Sequence, residues 1–339
     1  MNQLVDIIRE DVRHVCDKID FNELDGKTVL LTGASGLIGT YFLATVRELQ
    51  RAGKKIKIFA IAKNKFPEYL SYFGEFADFL QGDITDYGFI ESLPKADYII
   101  HAGGYGQPGR FMEDQIKTIE LNTTGTLGLF KRLKSGGKFI FLSTSEVYSG
   151  LSDLPYREDQ IGITNTTHPR ACYIEGKRCG EAIVNVYRQK GINAKSARLS
   201  LAYGPGTKKG DLRVINSFIY KGLQGKIDML DHGEAKRTYC YVSDAVEIMW
   251  DILLFGKEPI YNVGGFSSVT IAELAGKIGT ALNVPVTFPD KKNEGLTGAP
   301  LDVALDMTKV KNEFNKTEYV SLDDGLSRTI EWQKHLYNN

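Results

Sequence analysis

The chain has 339 residues, of which 42% are hydrophobic and 25% charged, a composition typical of a globular protein with one large domain or a domain and a cap. Its 42 basic and 42 acidic residues cancel, which argues against nucleic acid or an anionic membrane as the main partner. No apolar run approaches the ~20 residues of a spanning helix and no signal peptide opens the chain, so we expect a cytoplasmic protein.

The predicted elements begin with a helical N-terminal extension over residues 1–25, where apolar residues recur at near-helical spacing. From residue 26 to 200, apolar strands alternate with helical patterns, which is typical of a Rossmann-type, doubly wound α/β fold with a parallel sheet. The predicted strands are Thr28–Thr32, Ile56–Ala62, Phe76–Leu80, Asp97–His101, Lys138–Ser143 and Ala194–Arg198. Over residues 201–339 this alternation breaks down into shorter elements.

A glycine-rich turn follows the first predicted strand. Glycines there let the backbone approach a pyrophosphate that lies at a helix N-terminus. The spacing is Gly-x-x-Gly-x-x-Gly, and the alternative is a turn that only needs positive φ. The preceding strand and following helix favour dinucleotide binding, and the missing Gly-Lys-Ser/Thr argues against an ATP loop. The predicted contacts in this turn are Gly33, Ser35, Gly36, Leu37, Ile38 and Gly39.

The end of the second predicted strand lacks the acid that usually binds the adenine ribose about 20 residues past the glycine turn. Lys63 stands near that place. A cation there favours a 2′-phosphate and therefore NADP, although a solvated surface lysine is the competing interpretation. At the end of the fourth strand, we expect His101 to support the backbone rather than act as a catalytic base.

Polar residues follow the strand Lys138–Ser143. Ligands of open α/β sheets bind at the carboxyl ends of strands, which places Thr144, Ser145 and Glu146 at the cleft. The same residues would also suit a capping cluster, with Glu146 as a solvated carboxylate at a helix start.

Tyr173 and Lys177 lie four residues apart and share one face if their segment is helical. A fixed ammonium beside the phenol lowers the tyrosine pKa, so the pair predicts a proton acceptor for an alcohol undergoing oxidation. Cys172 and Cys179 flank the segment without a zinc-like spacing. We expect reduced thiols and no metal.

These motifs together resemble the extended short-chain dehydrogenase/reductase family, the NAD-dependent epimerases and dehydratases that modify nucleotide-diphosphate sugars. The matching segments are Ser143–Tyr148, Pro169–Arg178, Ile116–Thr118, Asn122–Thr126 and Tyr241–Asp244. Within the family, the likeness is strongest to the UDP-glucuronate decarboxylases. The resemblance implies a homodimer and a smaller C-terminal cap that binds the sugar nucleotide, formed mainly by residues 201–339 with some segments returning to the core.

The resemblance also implies cofactor contacts. Asp83 and Ile84 match the adenine contact of the family, although Asp83 could instead be a helix N-cap. Asn122 matches a cofactor-side position, and Lys177, together with Tyr173, reaches the nicotinamide ribose. NAD is the expected cofactor, and Lys63 leaves NADP open.

The implied chemistry begins with oxidation at sugar C4, with Tyr173 as base and Thr144 bound to the same hydroxyl. Glu146 indicates further chemistry at C5, and decarboxylation of a UDP-glucuronate-type substrate is the leading interpretation. In 4,6-dehydration, Glu146 takes the C5 proton, although Ser145 stands where many dehydratases carry Asp. The sequence also leaves open a 4-epimerase, a net 4-dehydrogenase and a non-catalytic dinucleotide-binding protein.

Substrate contacts are expected from Ser145, Arg213 and Arg237, since arginine suits phosphate and carboxylate recognition. Either arginine could instead be an ordinary surface residue. Departures from the family pattern lie on the substrate side. Leu201 stands where the family often has Asn, and Gly298–Pro300 replaces an Arg-rich segment.

Overall fold

The computed structural model describes residues 2–73, 75–290 and 302–338, so Gly298–Pro300 lies outside the described residues. The α-helices in these ranges are α1 Asn2–Lys18, α2 Leu37–Arg51, α3 Tyr87–Ser92, α4 Pro108–Glu113, α5 Gln115–Asn122, α6 Thr124–Phe130, α7 Ala171–Gln189, α8 Val214–Leu223, α9 Val242–Phe255, α10 Ile271–Leu282, α11 Thr308–Phe314 and α12 Leu322–Asn338. The strands are β1 Thr28–Thr32, β2 Lys57–Ala62, β3 Asp78–Gln81, β4 Ala96–His101, β5 Leu133–Thr144, β6 Asn193–Leu199, β7 Ala202–Tyr203, β8 Ile227–Asp228, β9 Lys236–Tyr241, β10 Ile260–Val263, β11 Ser267–Thr270 and β12 Val286–Thr287. Short 3-10 helices cover Asn22–Leu24, Glu68–Phe73 and Ser145–Tyr148.

The main sheet of the described residues has the strand order β10-β6-β5-β4-β1-β2-β3, with every neighbouring pair parallel. The six strands predicted from the sequence are all present, and the Rossmann-type α/β fold is confirmed. β10 completes the sheet from far along the chain, which the sequence pattern did not identify. The strand order reverses between β1 and β4, and their carboxyl ends are where ligands bind in such sheets.

Helices cover both faces of this sheet because each central strand is apolar on both sides. In β1, Leu30 packs into one buried cluster, whereas Val29 and Leu31 pack into the other. The first cluster includes side chains of α5, α6 and α7, and the second includes α1, α2 and α9. Trp250 of α9 anchors the second face, with its ring edge-on to Phe42 at 4.9 Å between centroids.

The N-terminal extension folds as the predicted helix and packs on the domain. Val5, Ile8, Val12 and Val15 are buried along one side of α1. Asp11 on the same helix is also buried. Its carboxylate pairs with Arg328 at 3.0 Å and accepts hydrogen bonds from the phenols of Tyr41 at 2.6 Å and Tyr241 at 2.8 Å, so the buried charge is compensated.

The C-terminal part forms two small sheets, β11-β9-β7 and β12-β8. The segment after β7 approaches α2, because a Cβ on Gly206 would lie 3.4 Å from Leu37. The C-terminal segment therefore lies beside the glycine turn, while β10 returns to the main sheet. The division at residues 200 and 201 stays a prediction. Across the described ranges, no helix has the length and apolar character needed to cross a bilayer.

Candidate active site

The glycine turn between β1 and α2 is tightly packed against backbone. Gly33 has φ of +69°, and a Cβ there would lie 2.3 Å from the carbonyl oxygen of Ala102. A Cβ on Gly39 would lie 2.3 Å from the carbonyl oxygen of Gly33. Gly36 caps α2 and is exposed, so the helix N-terminus is open to a ligand. This geometry fits a dinucleotide pyrophosphate, which needs close backbone approach and free N–H groups.

Lys208 adds a positive charge to this turn that the sequence analysis did not identify. Its Nζ lies 3.2 Å from the hydroxyl of Ser35, one of the predicted cofactor contacts. Leu37 is buried and Ile38 is partly buried, so these two side chains hold the start of α2 in place. The only sequence signal for Lys208 was its place just after the turn Gly204-Pro-Gly206.

Asp83, predicted to contact the adenine, is the centre of an ion cluster. Its carboxylate accepts hydrogen bonds from the backbone and side chain of Thr85 and lies 3.2 Å from Lys63 and 3.4 Å from Lys117. Although burial raises the pKa of Asp83, these partners lower it to about 2. The possible role of Asp83 as a helix N-cap is wrong, because Asp86 caps α3. Ile84 beside it is buried.

Asn122 and Lys177, the residues predicted to lie at the nicotinamide ribose, are neighbours in the structure. A Cβ on Gly104 would lie 3.6 Å from Lys177 Nζ and 4.0 Å from Asn122 Oδ1, so the two groups meet at one place. Asn122 Oδ1 is buried and has no partner among the described residues, and Lys177 Nζ donates to the Leu142 carbonyl at 2.6 Å. An unsatisfied acceptor beside an ammonium suits the hydroxyls of a ribose.

His101 lies beneath this place and is a structural residue, as expected. Its ring nitrogens contact the Thr32 hydroxyl at 2.9 Å and the Leu121 carbonyl at 3.2 Å. Burial, followed by the charge of Lys177, lowers the pKa of His101 to about 3, so the imidazole is neutral.

The structure brings Thr144 and Tyr173 together at the ends of β5 and α7. Both side chains are buried, and the Thr144 hydroxyl lies close enough to the Tyr173 phenol to oppose the rise in its pKa. Phe111 of α4 stacks flat on the Tyr173 ring, with 4.4 Å between centroids and an angle of 3°. The phenol is thus fixed between a hydroxyl and an aromatic face, and Phe111 is a site residue that the sequence analysis missed.

The predicted lowering of the Tyr173 pKa by Lys177 is wrong for this structure. Burial, followed by the charge of Glu146, raises the pKa of Tyr173, and only Thr144 and Arg170 oppose this. Burial also lowers the pKa of Lys177 to about 7. A lysine with a pKa near 7 is only partly charged at neutral pH, so it stabilises the ionised form of the phenol less than a fully charged ammonium would.

Glu146 contacts a cation that was not predicted, the guanidinium of Arg170. Glu146 follows Thr144 in the short 3-10 helix that Ser145 begins, and Arg170 lies at the N-cap position of α7. Burial raises the pKa of Glu146, and the charge of Arg170 partly offsets this. Arg170 also stacks over Phe111 at 5.3 Å, which connects the carboxylate to the ring beside Tyr173. Its sequence signal was its place in Pro169–Arg178.

The two arginines predicted to bind substrate are placed differently. Arg213 forms a bidentate pair with Asp211, at 3.0 and 3.1 Å from Nε, so its charge is already compensated. Arg237 lies on β9 and donates a hydrogen bond from Nη1 to the Lys236 carbonyl at 2.7 Å, and burial lowers the pKa of its guanidinium. No cluster of His, Cys, Asp or Glu that could hold a metal ion occurs in the described part of the chain.

Comparison with known proteins identifies a family. The model of the NAD dependent epimerase/dehydratase family matches residues 29–264. The chain is 30% identical to UDP-glucuronic acid decarboxylase 1 of Danio rerio over 94% of the chain and 76% of that protein. It is 31% identical to UDP-N-acetyl-alpha-D-glucosaminuronate decarboxylase of Bacillus cytotoxicus over 92% and 99%. The fold matches MoeE5, solved with UDP-glucuronic acid and NAD, with a TM-score of 0.74 at 19% identity over 91% and 99%.

Proposed function

Because the chain belongs to the NAD-dependent epimerase/dehydratase family, we propose that it oxidises C4 of a nucleotide-diphosphate sugar transiently and then decarboxylates it at C5. The observation that carries this proposal is the grouping of Glu146 with Thr144 and Tyr173 at the end of β5. A carboxyl beside the C4 base allows chemistry on the neighbouring carbon. The names of the two decarboxylase relatives support a UDP-hexuronate, either UDP-glucuronate or its 2-acetamido analogue.

Chemistry at C4 uses Thr144 and Tyr173. Their hydroxyls hold the C4 hydroxyl of the sugar, and Tyr173 accepts its proton as the C4 carbon loses a hydride. NAD, when bound, supplies the hydride acceptor for this step and the donor for its reversal. Asn122 and Lys177 hold the ribose hydroxyls. Gly33 and Gly39 let the turn pack closely against backbone, and the N-terminus of α2 that follows the turn binds the pyrophosphate.

Chemistry at C5 uses Glu146. Once C4 is a ketone, the C5 carboxylate is β to it and leaves as carbon dioxide, and the electrons of the broken bond move to the C4 oxygen as an enolate. Glu146 then gives a proton to C5, a role that burial favours because it raises the carboxyl pKa. Return of the hydride to C4 and of the Tyr173 proton to its oxygen completes the reaction.

A 4,6-dehydration is the second candidate, because Glu146 has the same access to C5. In that reaction Glu146 removes the C5 proton, and a hydroxyl leaves C6 as water. Ser145 stands at the position beside Glu146 where a proton donor is needed, and a serine hydroxyl is a poor acid. The lack of a good proton donor at Ser145 therefore favours decarboxylation over dehydration.

Two variants test the oxidation at C4 and the chemistry at C5 separately. Tyr173→Phe is expected to abolish the absorbance of reduced nicotinamide when UDP-glucuronate is added. Glu146→Gln is expected to retain that absorbance in a single turnover while forming the pentose product at least tenfold more slowly. Equal rates of pentose formation in Glu146→Gln and the wild type would contradict the role of Glu146 at C5.

For the cofactor, we propose NAD. Lys63 occupies the place that favours a 2′-phosphate, but its charge is compensated by Asp83 at 3.2 Å. The low pKa of Asp83 keeps that carboxylate ionised, and a 2′-phosphate approaching Lys63 would also meet this negative charge. The pairing supports NAD over NADP.

We also propose a homodimer formed through α5 and α7. These helices pack together, and Ile116 and Ile119 of α5 are 74% and 44% exposed. Val186 of α7 is 48% exposed. Apolar side chains exposed on two adjacent helices are typical of a surface that a partner covers, and the isologous pairing of such a face with a second copy closes a two-fold dimer.

A further inference from the structure

Three polar side chains follow one another along one face of α7, the helix that packs against β5. Tyr173, Lys177 and Glu181 form this α7 row, and side chains four residues apart are neighbours on a helix surface. Each of the three is at most 7% exposed. Tyr173 and Lys177 belong to the site described above, whereas Glu181 does not. A buried carboxylate is costly unless it is paired, so its partners indicate its role.

The α7 row meets three consecutive residues at the end of β5. The Lys177 ammonium donates to the Leu142 carbonyl at 2.6 Å, and the Ser143 hydroxyl donates to the Glu181 carboxylate. The phenol of the row lies beside the hydroxyl of Thr144, which opposes the rise in the phenol pKa. Glu181 therefore fixes the strand between the acceptor of the lysine and the threonine of the site.

Arg198 of β6 holds the Glu181 carboxylate in place. Nε and Nη2 of the guanidinium donate to the two carboxylate oxygens at 2.9 and 2.8 Å, and Nη1 donates to the carbonyls of Glu158 and Gln160. Two parallel hydrogen bonds of this kind fix the orientation of a carboxylate. Arg198 is itself positive, so a favourable charge for a neighbouring ammonium comes from Glu181 alone.

Glu181 supplies the negative charge that keeps Lys177 partly protonated. Burial lowers the pKa of Lys177 to about 7, and the charge of Glu181 opposes this shift. The other polar groups that face the amine are uncharged, because His101 of β4 is neutral, Asn122 of α5 is an amide, and burial raises the pKa of the Tyr173 phenol. Without Glu181, the lysine would be a neutral amine at pH 7.

We propose that Glu181 is a positioning residue, which fixes the end of β5 through Ser143 and keeps the ammonium of Lys177 charged for the ribose of the cofactor. The role in cofactor binding rests on the proposed function, which assigns the ribose hydroxyls to Lys177. Glu181 is paired with Ser143 and Arg198, so it acts through its neighbours. Its sequence signal is the spacing Tyr-x-x-x-Lys-x-x-x-Glu.

The charge of Lys177 is measured directly by ¹³C NMR of the lysine Cε atoms as a function of pH in the cofactor-free protein. The resonance of Lys177 is assigned by its absence from Lys177→Met. In the wild type it is expected to titrate with a pKa of about 7. Glu181→Gln keeps the size of the side chain and removes its charge, so the titration should move to lower pH by about one pH unit.

The ratio of the dissociation constants of ADP and NAD, measured by calorimetry, tests the effect on the cofactor, since ADP lacks the nicotinamide ribose. At about pH 6.5, midway between the two expected titrations, the protonated fraction of Lys177 falls from about three quarters in the wild type to about one quarter in Glu181→Gln. NAD binding should therefore weaken about threefold relative to ADP. General damage to the fold would weaken both ligands alike.

Glu175→Gln is the matched control. Glu175 is a carboxylate of the same helix, but it pairs with Arg178 at 2.7 Å. The control should change neither the titration of Lys177 nor the ratio of the dissociation constants. If Glu181→Gln does not fold, the double variant Glu181→Gln with Arg198→Gln replaces it, because this change leaves no buried charge unpaired. The same shift is expected from the double variant.

An unchanged titration of Lys177 on loss of the Glu181 charge, or an equal shift in Glu175→Gln, overturns the inference. A shifted titration with an unchanged ratio in both Glu181→Gln and Lys177→Met overturns the ribose contact of Lys177. Failure of the proposed function and failure of the electrostatic role of Glu181 are thus distinguishable.

Discussion

The strongest prediction concerns Gly39, whose Cα faces the glycine turn at the start of α2. A Cβ there would lie 2.3 Å from the Gly33 carbonyl oxygen and 2.7 Å from Ala34 Cα. Both atoms are backbone and cannot rotate away, so Gly39→Ala must displace the turn or the helix. Overpacking of this kind costs about 1–3 kcal/mol, and the gain of up to ~1 kcal/mol from replacing a helical glycine offsets part of it.

We expect Gly39→Ala to lower the free energy of unfolding by about 2 kcal/mol, measured by urea denaturation of the cofactor-free protein. The same variant should bind NAD at least tenfold more weakly in calorimetry, because the turn that faces the pyrophosphate has moved. The two effects have one cause, which is the lost approach of α2 to Gly33.

Gly276→Ala is the matched control. Gly276 also lies within a helix, α10, but a Cβ there meets no atom within 4 Å. It should gain about 0.5–1 kcal/mol in stability and leave NAD binding unchanged. The reasoning is refuted if Gly39→Ala matches the wild type in stability and NAD affinity, or if both alanine variants lose stability equally.

Three other predictions test separate parts of the account. Asp83→Asn leaves the charge of Lys63 uncompensated, so the affinity for NADP relative to NAD should rise about tenfold in calorimetry, while Lys63→Gln should not raise it. Burial lowers the pKa of Lys177 from its ordinary 10.5 to about 7, so the unfolded chain binds more protons between these values and stability rises with pH. In the wild type, the free energy of unfolding in urea should rise by up to about 1.4 kcal/mol per pH unit between about pH 7.5 and 9.5 from this residue, and Lys177→Met should lack that rise. The same pH dependence of the unfolding free energy in both proteins would contradict the burial of a titrating amine. Ile116→Asp should convert the dimer to a monomer in sedimentation, whereas Ile163→Asp, at a side chain that is 79% exposed elsewhere, should leave the mass unchanged.

Much of the fold could be predicted because the local pattern and the tertiary structure agree. β1, β2 and β4 are short apolar runs bounded by turn residues, and the parallel sheet follows from the alternation of such strands with helices. The seventh strand could not be identified, since Ile260–Val263 joins β6 only through a contact between residues distant in the chain. The sequence of a four-residue segment does not indicate which strand it pairs with.

Site residues that lie close together in the sequence could be predicted, whereas those that the fold brings together from separate elements could not. The glycine turn and the pair of Tyr173 and Lys177 are local, whereas Phe111 reaches Tyr173 from another helix. The expected effect of Lys177 on the phenol assumed a solvated ammonium, and burial removed that assumption. Arg213 was expected to be available to substrate, yet Asp211 two residues earlier compensates its charge.

The central claim, transient oxidation at C4 followed by loss of the C5 carboxylate, is tested most directly by mass spectrometry of the protein incubated with NAD and UDP-glucuronate, and in parallel with the 2-acetamido analogue. The account predicts that one of these substrates loses carbon dioxide to give a nucleotide-linked pentose, with no net accumulation of NADH. Recovery of both uronates unchanged in mass, or accumulation of NADH with each turnover, would contradict it.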